Sequence, residues 1–439
     1  GNFAPMERVR TDLPIFTDDE LWHARGGTLV CDVESYSNFF CVSFTCVETY
    51  RSVYFELSPR SEMDIRKLEW ILWNFQIVTF NGNCYDIPIL AMACAGYGCE
   101  QLKAASDQII QHDARPSQIA EMFNVVIPKI NHIDLIELPI GVHSLKVYAS
   151  RLHAPRMQDL PYPHDHVVCE HEADVIKWYN VNDNQNTILL YNKLREAIAL
   201  RELLGKEYGQ DLRSRSDAQI AEHVLKAEIE KIKGKPIKKP VVEPGTVLRY
   251  QVPPYLTFKD KGLCELLETI RNADFVVSDG GSVTIPKEIS EKIIRVHQTY
   301  YKIGIGGLHS QEKSRSHVAD DNFMIIDRDV ESYYPNMILN QKLAPKHLGE
   351  DFLNVYKTIV DKRIAAKKSG DKGTSNSLKI TINGSFGKLG SKYSVLYSPD
   401  LMIQTTISGQ LNLLMLIDML ESNGLMVVSA NTDGIVTRV

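Results

Sequence analysis

Apolar positions along this chain fall into two well-patterned stretches joined by a weaker one. In the first, TLVCDVES (Thr28–Ser35) reads as a strand, and FCVSFTCV and SVYFEL alternate well enough to pair with it as a meander. A helical segment near 64–74 follows, and IVTFNGNCYDIPIL then gives a strand, a Gly-Asn turn and a helix with Asp86 near its start. Helical spacing returns over 144–152 and from His171 to about Leu203. Between Lys206 and about Arg295 the signals weaken. LRSRSDAQIAEHVLKAEIEKI predicts a helix there, and GKPIKKPVVEPG a Pro-rich basic loop. The second stretch begins with YYKIGIGGLHS, whose Gly304, Gly306 and Gly307 permit a tight turn or close backbone approach. A short strand at Phe323–Ile326 then runs into Asp327 and Asp329, with a helix starting near Pro335. Helical spacing over 351–368 and again through KITINGSFG predicts an antiparallel helical hairpin. In LMVVSANTDGIV, two apolar runs flank Asn431–Gly434 as a β-hairpin.

The acids sit where such elements end. Asp32 and Glu34, two apart on a strand, leave the same face and repel unless a cation lies between them. Tyr179 and Asp183 are four apart on a helix and share a face, as do Arg363 and Lys367. Lys379, Asn383 and Phe386 or Gly387 fall on about one face of the return helix. Taken singly, each has a plainer account: Asp329 and Asp86 as caps, Tyr179 as half-buried core, Asp183 as helix surface. His132 and Asp134 read as core or loop residues rather than as extra ligands.

Composition narrows the class. The chain has 439 residues, enough for two or three domains, with 44% hydrophobic and 24% charged residues as in an ordinary globular protein. No apolar run approaches the roughly 18–20 residues of a membrane span and no signal-peptide pattern opens the sequence, so a soluble intracellular protein is expected. Eight cysteines without a C-x-x-C pair indicate neither zinc nor a disulfide framework, and are expected to be buried thiols. The net charge of −6 hides a local excess: residues 341–394 carry eleven Lys or Arg against four Asp or Glu.

Three ordered stretches resemble the polymerase motifs of family B DNA polymerases: DVESYYP (Asp329 to Pro335), KITINGSFG (Lys379 to Gly387) and NTDG (Asn431 to Gly434). Upstream, DVE, NGNCYD and Y-x-x-x-D resemble the three motifs of the 3′–5′ proofreading exonuclease carried by the same family. The resemblance implies an α/β (α+β) chain. A ribonuclease-H-like exonuclease domain (28–205) follows an N-terminal segment (1–27), and a connecting region (206–295) leads to a palm (296–350 and 390–439) interrupted by short helical fingers (351–389). It implies a phage or viral replicative enzyme acting on a DNA primer–template and dNTPs, with two Mg²⁺ per active site and Mn²⁺ as a substitute. Asp329 and Asp433 would hold the polymerase metals, and Asp32, Glu34, Asp86 and Asp183 those of the nuclease, with Tyr179 near the attacking water. Arg363, Lys367 and Lys379 would meet the triphosphate, Tyr334 and Ser332 the sugar and phosphates, and Asn383 and Phe386 the nascent base pair. Asn81 or Tyr85 would touch the frayed 3′ end, and YYKIGIGGLHS matches in position a template-contacting segment.

Some positions depart from the family pattern. Asn431 stands where the family has Asp and removes one charge; Gly384 replaces a common Ser and Phe386 a common Tyr. The thumb is expected outside this chain, either as missing sequence or as a partner chain, and a processivity factor is a further expected partner of an otherwise monomeric protein. The short spacing between motifs leaves no room for a protein-priming insertion. The competing reading is a 3′–5′ exonuclease whose polymerase half is an inactive DNA-binding scaffold, and a third is a non-catalytic interaction module.

Overall fold

Strand β1 (Thr28–Tyr36) has antiparallel β2 (Phe39–Cys46) on one side and parallel β4 (Gln76–Thr79) on the other, in a sheet completed by β3 (Ser52–Leu57) and β5 (His132–Asp134) in the order β3-β2-β1-β4-β5. The computed structural model describes residues 13–139, 162–296, 299–304, 307–310, 325–329, 333–431 and 434–438. The chain is mixed α/β and divides into two units, 1–216 and 217–439.

In the first unit, helices α1 (Asp18–His23), α2 (Ile65–Asn74), α3 (Asp86–Cys94), α4 (Cys99–His112), α5 (Pro116–Met122), α6 (Glu170–Lys193) and α7 (Arg195–Tyr208) cover the sheet. The two-residue period of β1 decides which helix sees which residue. Leu29, Cys31 and Val33 enter one core with Leu90 and Leu102, whereas Val30 packs with Ile188 and Leu190 of α6 and Tyr36 with Ala173 and Ile176 of α6. Asp32 and Glu34 have the parity of Val30 and Tyr36 and so fall on the α6 face. The helical pattern expected from His171 to Leu203 is broken at Leu194, whose N–H bonds back to Leu190 and Tyr191 and so separates α6 from α7. The helix expected over 144–152 lies outside the described residues.

The second unit contains a six-stranded sheet, in the order β12-β14-β13-β11-β10-β9, and a small one formed by β6 (Val247–Leu248), β7 (Phe275–Val277) and β8 (Val283–Thr284). The larger sheet takes β9 (Ile294–Val296), β10 (Thr299–Gly304), β11 (Gly307–Ser310), β12 (Ile325–Asp329), β13 (Met426–Asn431) and β14 (Gly434–Arg438). Its helices are α8 (Asp217–Lys233), α9 (Lys261–Asn272), α10 (Tyr333–Gln341), α11 (Gly349–Ser369), α12 (Lys372–Gly384) and α13 (Pro399–Ser422). The hairpin of α11 and α12 is written locally: Gly370 closes α11 in the left-handed conformation at φ +78°, and the Asp371 carboxylate caps α12 by accepting the Thr374 N–H at 3.1 Å. α12 ends at Gly384 and tightens into a 3₁₀ turn over Ser385–Lys388, so Phe386 and Gly387 do not continue the α-helical face of Lys379 and Asn383 as the spacing predicts.

α8, read from sequence as part of a connecting region, packs closely along α12 and α11. Lys388 pairs with Glu222 and Lys233 with Asp351, each at 3.7 Å. A Cβ at Gly384 would run into the Asp217 carbonyl, and one at Gly387 would crowd Ala218. Hence a side chain at position 384 has no room here. The cysteines depart from expectation: Cys31, Cys41 and Cys46 are buried, but Cys84, Cys169 and Cys264 are exposed. No described helix is long and apolar enough to cross a membrane.

Gly384→Ala and Gly384→Ser should each destabilise the second unit by about 1–3 kcal/mol, the usual cost of forcing extra atoms into a packed contact. Denaturant unfolding of the chain checks this, and an unchanged midpoint would mean that α8 is not seated on α12.

Candidate functional site

The four acids expected in the first unit stand on three elements: Asp32 and Glu34 on β1, Asp86 on α3 and Asp183 on α6. Asp32, Glu34, Asp86 and Asp183 are all buried. Asp86 is the first residue of α3 and has the favourable place for a carboxylate at a helix start. Asp183 comes from the middle of α6, where the Asn186 side chain donates to it at 3.3 Å. The α6 face laid on the sheet is polar. Asn180 donates to the Asp32 carbonyl at 3.1 Å and to its carboxylate at 3.3 Å, and Asn184 donates to Ser43 and Thr45, both at 2.9 Å. The acids register in their surroundings. Burial pushes the Cys31 thiol well up, with further push from the charges of Asp86 and Asp32; burial does the same to Cys41, with Glu34 and Asp32 adding to it. Asp32 therefore lies within electrostatic reach of the same thiols as both Asp86 and Glu34.

Two observations bear on whether a cation fits here. The Asn180 Oδ1 acceptor is fully buried and has no hydrogen-bond partner among the described residues, and the Asp32 carboxylate beside this amide is a hard oxygen ligand of the kind that Mg²⁺ takes. Yet among the described residues no three His, Cys, Asp or Glu side chains gather closely enough to cage a metal ion. The donor set suits Mg²⁺ held by one or two carboxylates and water, not a closed protein cage.

Around these acids, the remaining predicted residues differ in availability. Tyr179 on α6 is half-buried and packs edge-on against Trp178 at 5.1 Å between ring centroids. Tyr85 is buried, with its hydroxyl 2.8 Å from Ser106 Oγ, so Asn81 is the accessible member of that pair. His132 and Asp134 are structural, as the sequence suggests, but not idle. His132 Nε2 lies 2.7 Å from Thr79 Oγ1, and burial holds its pKa down at about 4. Both Asp134 oxygens accept backbone N–H groups, which excludes it as a free ligand.

In the second unit the three motif stretches meet through backbone register and one ring contact. Asp329, the last residue of β12, pairs with Gly434 of β14, and Gly434 pairs in turn with Asn431 of β13. Paired Cα atoms in an antiparallel ladder lie about 4.5–5.5 Å apart, so residues about a hundred positions apart in sequence become neighbours. Asp433, which precedes Gly434, and Ser332 lie outside the described residues. Tyr334 on α10 sits against Phe386 with ring centroids 4.5 Å apart, joining the first motif to the second. Pro335, expected to open this helix, stands in its first turn. On the α11–α12 hairpin, Lys367, Lys379 and Asn383 are exposed and Arg363 is half-buried. Among the described residues no ion pair occupies Arg363, Lys367 or Lys379, in contrast to Lys357, which pairs with Asp361 at 2.9 Å. Gly304 pairs with Gly307 across the turn joining β10 to β11, and the Gln410 amide bonds both the N–H and the carbonyl of Gly304.

Sequence reasoning missed the partners of these motifs: Asn180 on Asp32, α8 against Gly384, and Gln410 on Gly304. Only Asn180 carried a readable signal, as a polar residue one position from Tyr179 on an otherwise packed helix.

No protein-family model and no curated protein matches the sequence. Among solved structures, the family B DNA polymerase from the hyperthermophilic archaeon Pyrobaculum calidifontis is similar to this chain with a TM-score of 0.47 and 14% identity, over 93% of this chain and 53% of that one. The chain spans about half the length of that polymerase.

Proposed function

We propose that this chain is a template-directed DNA polymerase carrying a 3′–5′ proofreading exonuclease, of the kind that replicates a phage or viral genome inside its host. The observation that carries the polymerase reading is the ladder Asp329–Gly434–Asn431, with Tyr334 of the first motif against Phe386 of the second. The ladder supports the reading because it brings the backbone at Asp329 next to that of the NTDG hairpin, and metal-dependent nucleotidyl transfer needs carboxylates from distant stretches to converge.

In this reading a primer 3′-oxygen forms a bond to the α-phosphorus of a dNTP, the bond to the bridging oxygen breaks, and pyrophosphate leaves. Asp329 and Asp433 would hold Mg²⁺, which supplies a lowered hydroxyl pKa and neutralises charge on the phosphates. Arg363, Lys367 and Lys379 orient the triphosphate and stabilise the negative charge that moves onto the leaving group. Tyr334, braced by Phe386, lies beneath the sugar and excludes a 2′-hydroxyl, and Asn383 lines the nascent pair. In the first unit Asp32, Glu34, Asp86 and Asp183, which form no closed cage here, would each serve as an open ligand to Mg²⁺, with water completing the shell, for phosphodiester hydrolysis. There Tyr179 orients the water and Asn81 meets the terminal nucleotide.

Asn431 favours one second reading, a nuclease whose polymerase half binds DNA without extending it, because an amide contributes no charge to the metal site. Primer extension by the chain with Mg²⁺ and dNTPs separates the two: digestion with no extension would establish the nuclease alone.

Asp329→Ala should lower extension by at least about 10³-fold, the equivalent of about 4 kcal/mol, while digestion of single-stranded DNA persists. Conversely, Asp32→Ala with Glu34→Ala should remove digestion to the same degree and spare extension. Loss of both activities in either variant would sink the assignment of two separate sites. Tyr334→Ala should admit ribonucleotides that the unaltered chain rejects, measured as the ratio of kcat/KM for dNTP and NTP; an unchanged ratio removes Tyr334 from the sugar pocket.

A further inference from the structure

The turn at residues 81–83 is clamped more heavily than a connection between a strand and a helix requires. Three successive backbone amides are each taken by a side chain. Asp134 Oδ1 accepts the Asn81 N–H at 2.8 Å, Thr79 Oγ1 accepts the Gly82 N–H at 3.0 Å, and Asp134 Oδ2 accepts the Asn83 N–H at 3.0 Å. Asp134 Oδ1 also accepts from Ile136 N–H at 3.1 Å, and Ser214 Oγ accepts the Asp134 N–H at 2.9 Å, so the carboxylate is itself held in place. A concave row of N–H groups around one carboxylate is an anion nest in which the anion belongs to the protein. Thr79 is fixed in turn by His132, whose ring burial keeps neutral, so the contact introduces no competing charge.

The backbone pays for this geometry at two positions. Asn81 sits at φ +65°, a left-handed conformation that Asn tolerates better than most residues, and any Cβ at Gly82 would overlap the Thr79 hydroxyl. Downstream, Tyr85 N–H reaches the Asn81 carbonyl at 3.1 Å and Ile87 N–H the Gly82 carbonyl at 2.9 Å, which ties the turn to the start of α3 at Asp86. Within this rigid frame the side-chain amides of Asn81 and Asn83 are both uncommitted among the described residues, and that of Asn81 stands on the left-handed residue that opens the turn. The Asn81 side-chain amide is half-exposed and forms no hydrogen bond among the described residues. A side chain whose backbone is fixed on both sides, and whose own donor and acceptor are open, is preorganised for a ligand.

We infer that Asp134 is a positioning residue: it fixes the 81–83 turn so that the Asn81 amide is presented to the terminal nucleotide of a single strand. The inference rests on the exonuclease reading of the first unit and goes beyond it by naming the group that aims the substrate contact. Asp134 acts entirely through the backbone of the turn and touches neither metal nor DNA.

The test compares the full chain with Asp134→Asn, Asn81→Ala and the double variant, with Thr79→Val as a second route to the same turn should Asp134→Asn fail to fold. Asp134→Asn sets an NH₂ against a backbone donor, so amide hydrogen exchange at residues 81–83 should speed at least about tenfold. In digestion of a single-stranded oligonucleotide with Mg²⁺, Asp134→Asn and Asn81→Ala should each raise KM about tenfold with a smaller change in kcat. The double variant should be no worse than Asn81→Ala alone, because both act on one contact. A purely structural role would instead give losses that add and fall on kcat. Unchanged exchange at 81–83, an unchanged KM, or additive losses in the double variant would each overturn the inference. If the unaltered chain does not shorten the oligonucleotide, the exonuclease reading fails and takes the substrate contact with it, while hydrogen exchange still decides whether Asp134 clamps the turn.

Discussion

A strand buried on both faces has to place its polar residues under something, and in the first unit that constraint falls on β1. Its odd residues Leu29, Cys31 and Val33 are satisfied by an ordinary apolar core. Its even face carries Asp32 and Glu34 between Val30 and Tyr36, and α6 covers all of it. A helix packed over two buried carboxyls cannot be apolar throughout without stranding them, because an unpaired buried charge costs several kcal/mol. α6 accordingly sets Asn180, Asp183, Asn184 and Thr187, all buried, along the seam with β1 and β2, and keeps Ala173, Ile176, Ile188 and Leu190 for the two ends. The same packing that closes the unit therefore also buries its acids, Asp86 at the start of α3 among them.

The second unit reaches a comparable result through register. Antiparallel pairing with period two fixes which residues face each other once one pair is set, and a slip of one residue would invert every side chain. Five consecutive pairs, from Ile325 opposite Arg438 to Asp329 opposite Gly434, hold β12 to β14. The pairing of β13 with β14 is less regular, with a shift between Val427 and Ser429 before it reaches Asn431 opposite Gly434. A shift of this kind bends a strand and increases its local twist. Beside this sheet, the contact of Tyr334 with Phe386 means that a change in one motif alters the support of the other.

Much of this was legible in the sequence because the signals were local. Alternation gave β1 to β3, a helix was legible from about Asp64, and two helical runs with a Gly-containing stretch between them gave the hairpin, although SGDKGTSNS, which reads as the connection, supplies the first turns of α12 from Lys372. What escaped depends on partners distant in the chain and on backbone atoms, which no residue pattern encodes. Asp134 looked like an unremarkable acid in HIDL because its partners are the amides of residues some fifty positions earlier. Gly384 looked like a weakened motif, and its cause is the carbonyl of Asp217 on a helix that the composition of its surroundings had placed in a connection. The break at Leu194 and the 3₁₀ turn after Gly384 are single-residue changes in hydrogen bonding that a 3.6-residue period passes over.

The charge of the chain has to be judged by commitment rather than by sum. A net charge of −6 would repel a polyanion at long range, but beyond about 8–10 Å physiological salt screens that field, and what acts on a bound phosphate is the set of cations nearby. Within the second unit many cations are spent on neighbours: Lys233 on Asp351, Lys346 on Asp400, Lys357 on Asp361 and Lys388 on Glu222. Exposed pairs of this sort contribute little stability, yet they remove those lysines from the supply available to a ligand. Arg363, Lys367 and Lys379 have no such pairing among the described residues, and they lie on the two helices whose hairpin also carries Asn383 and leads directly to Phe386. A local excess of cations with few carboxylates to cancel it is what the acidic total conceals.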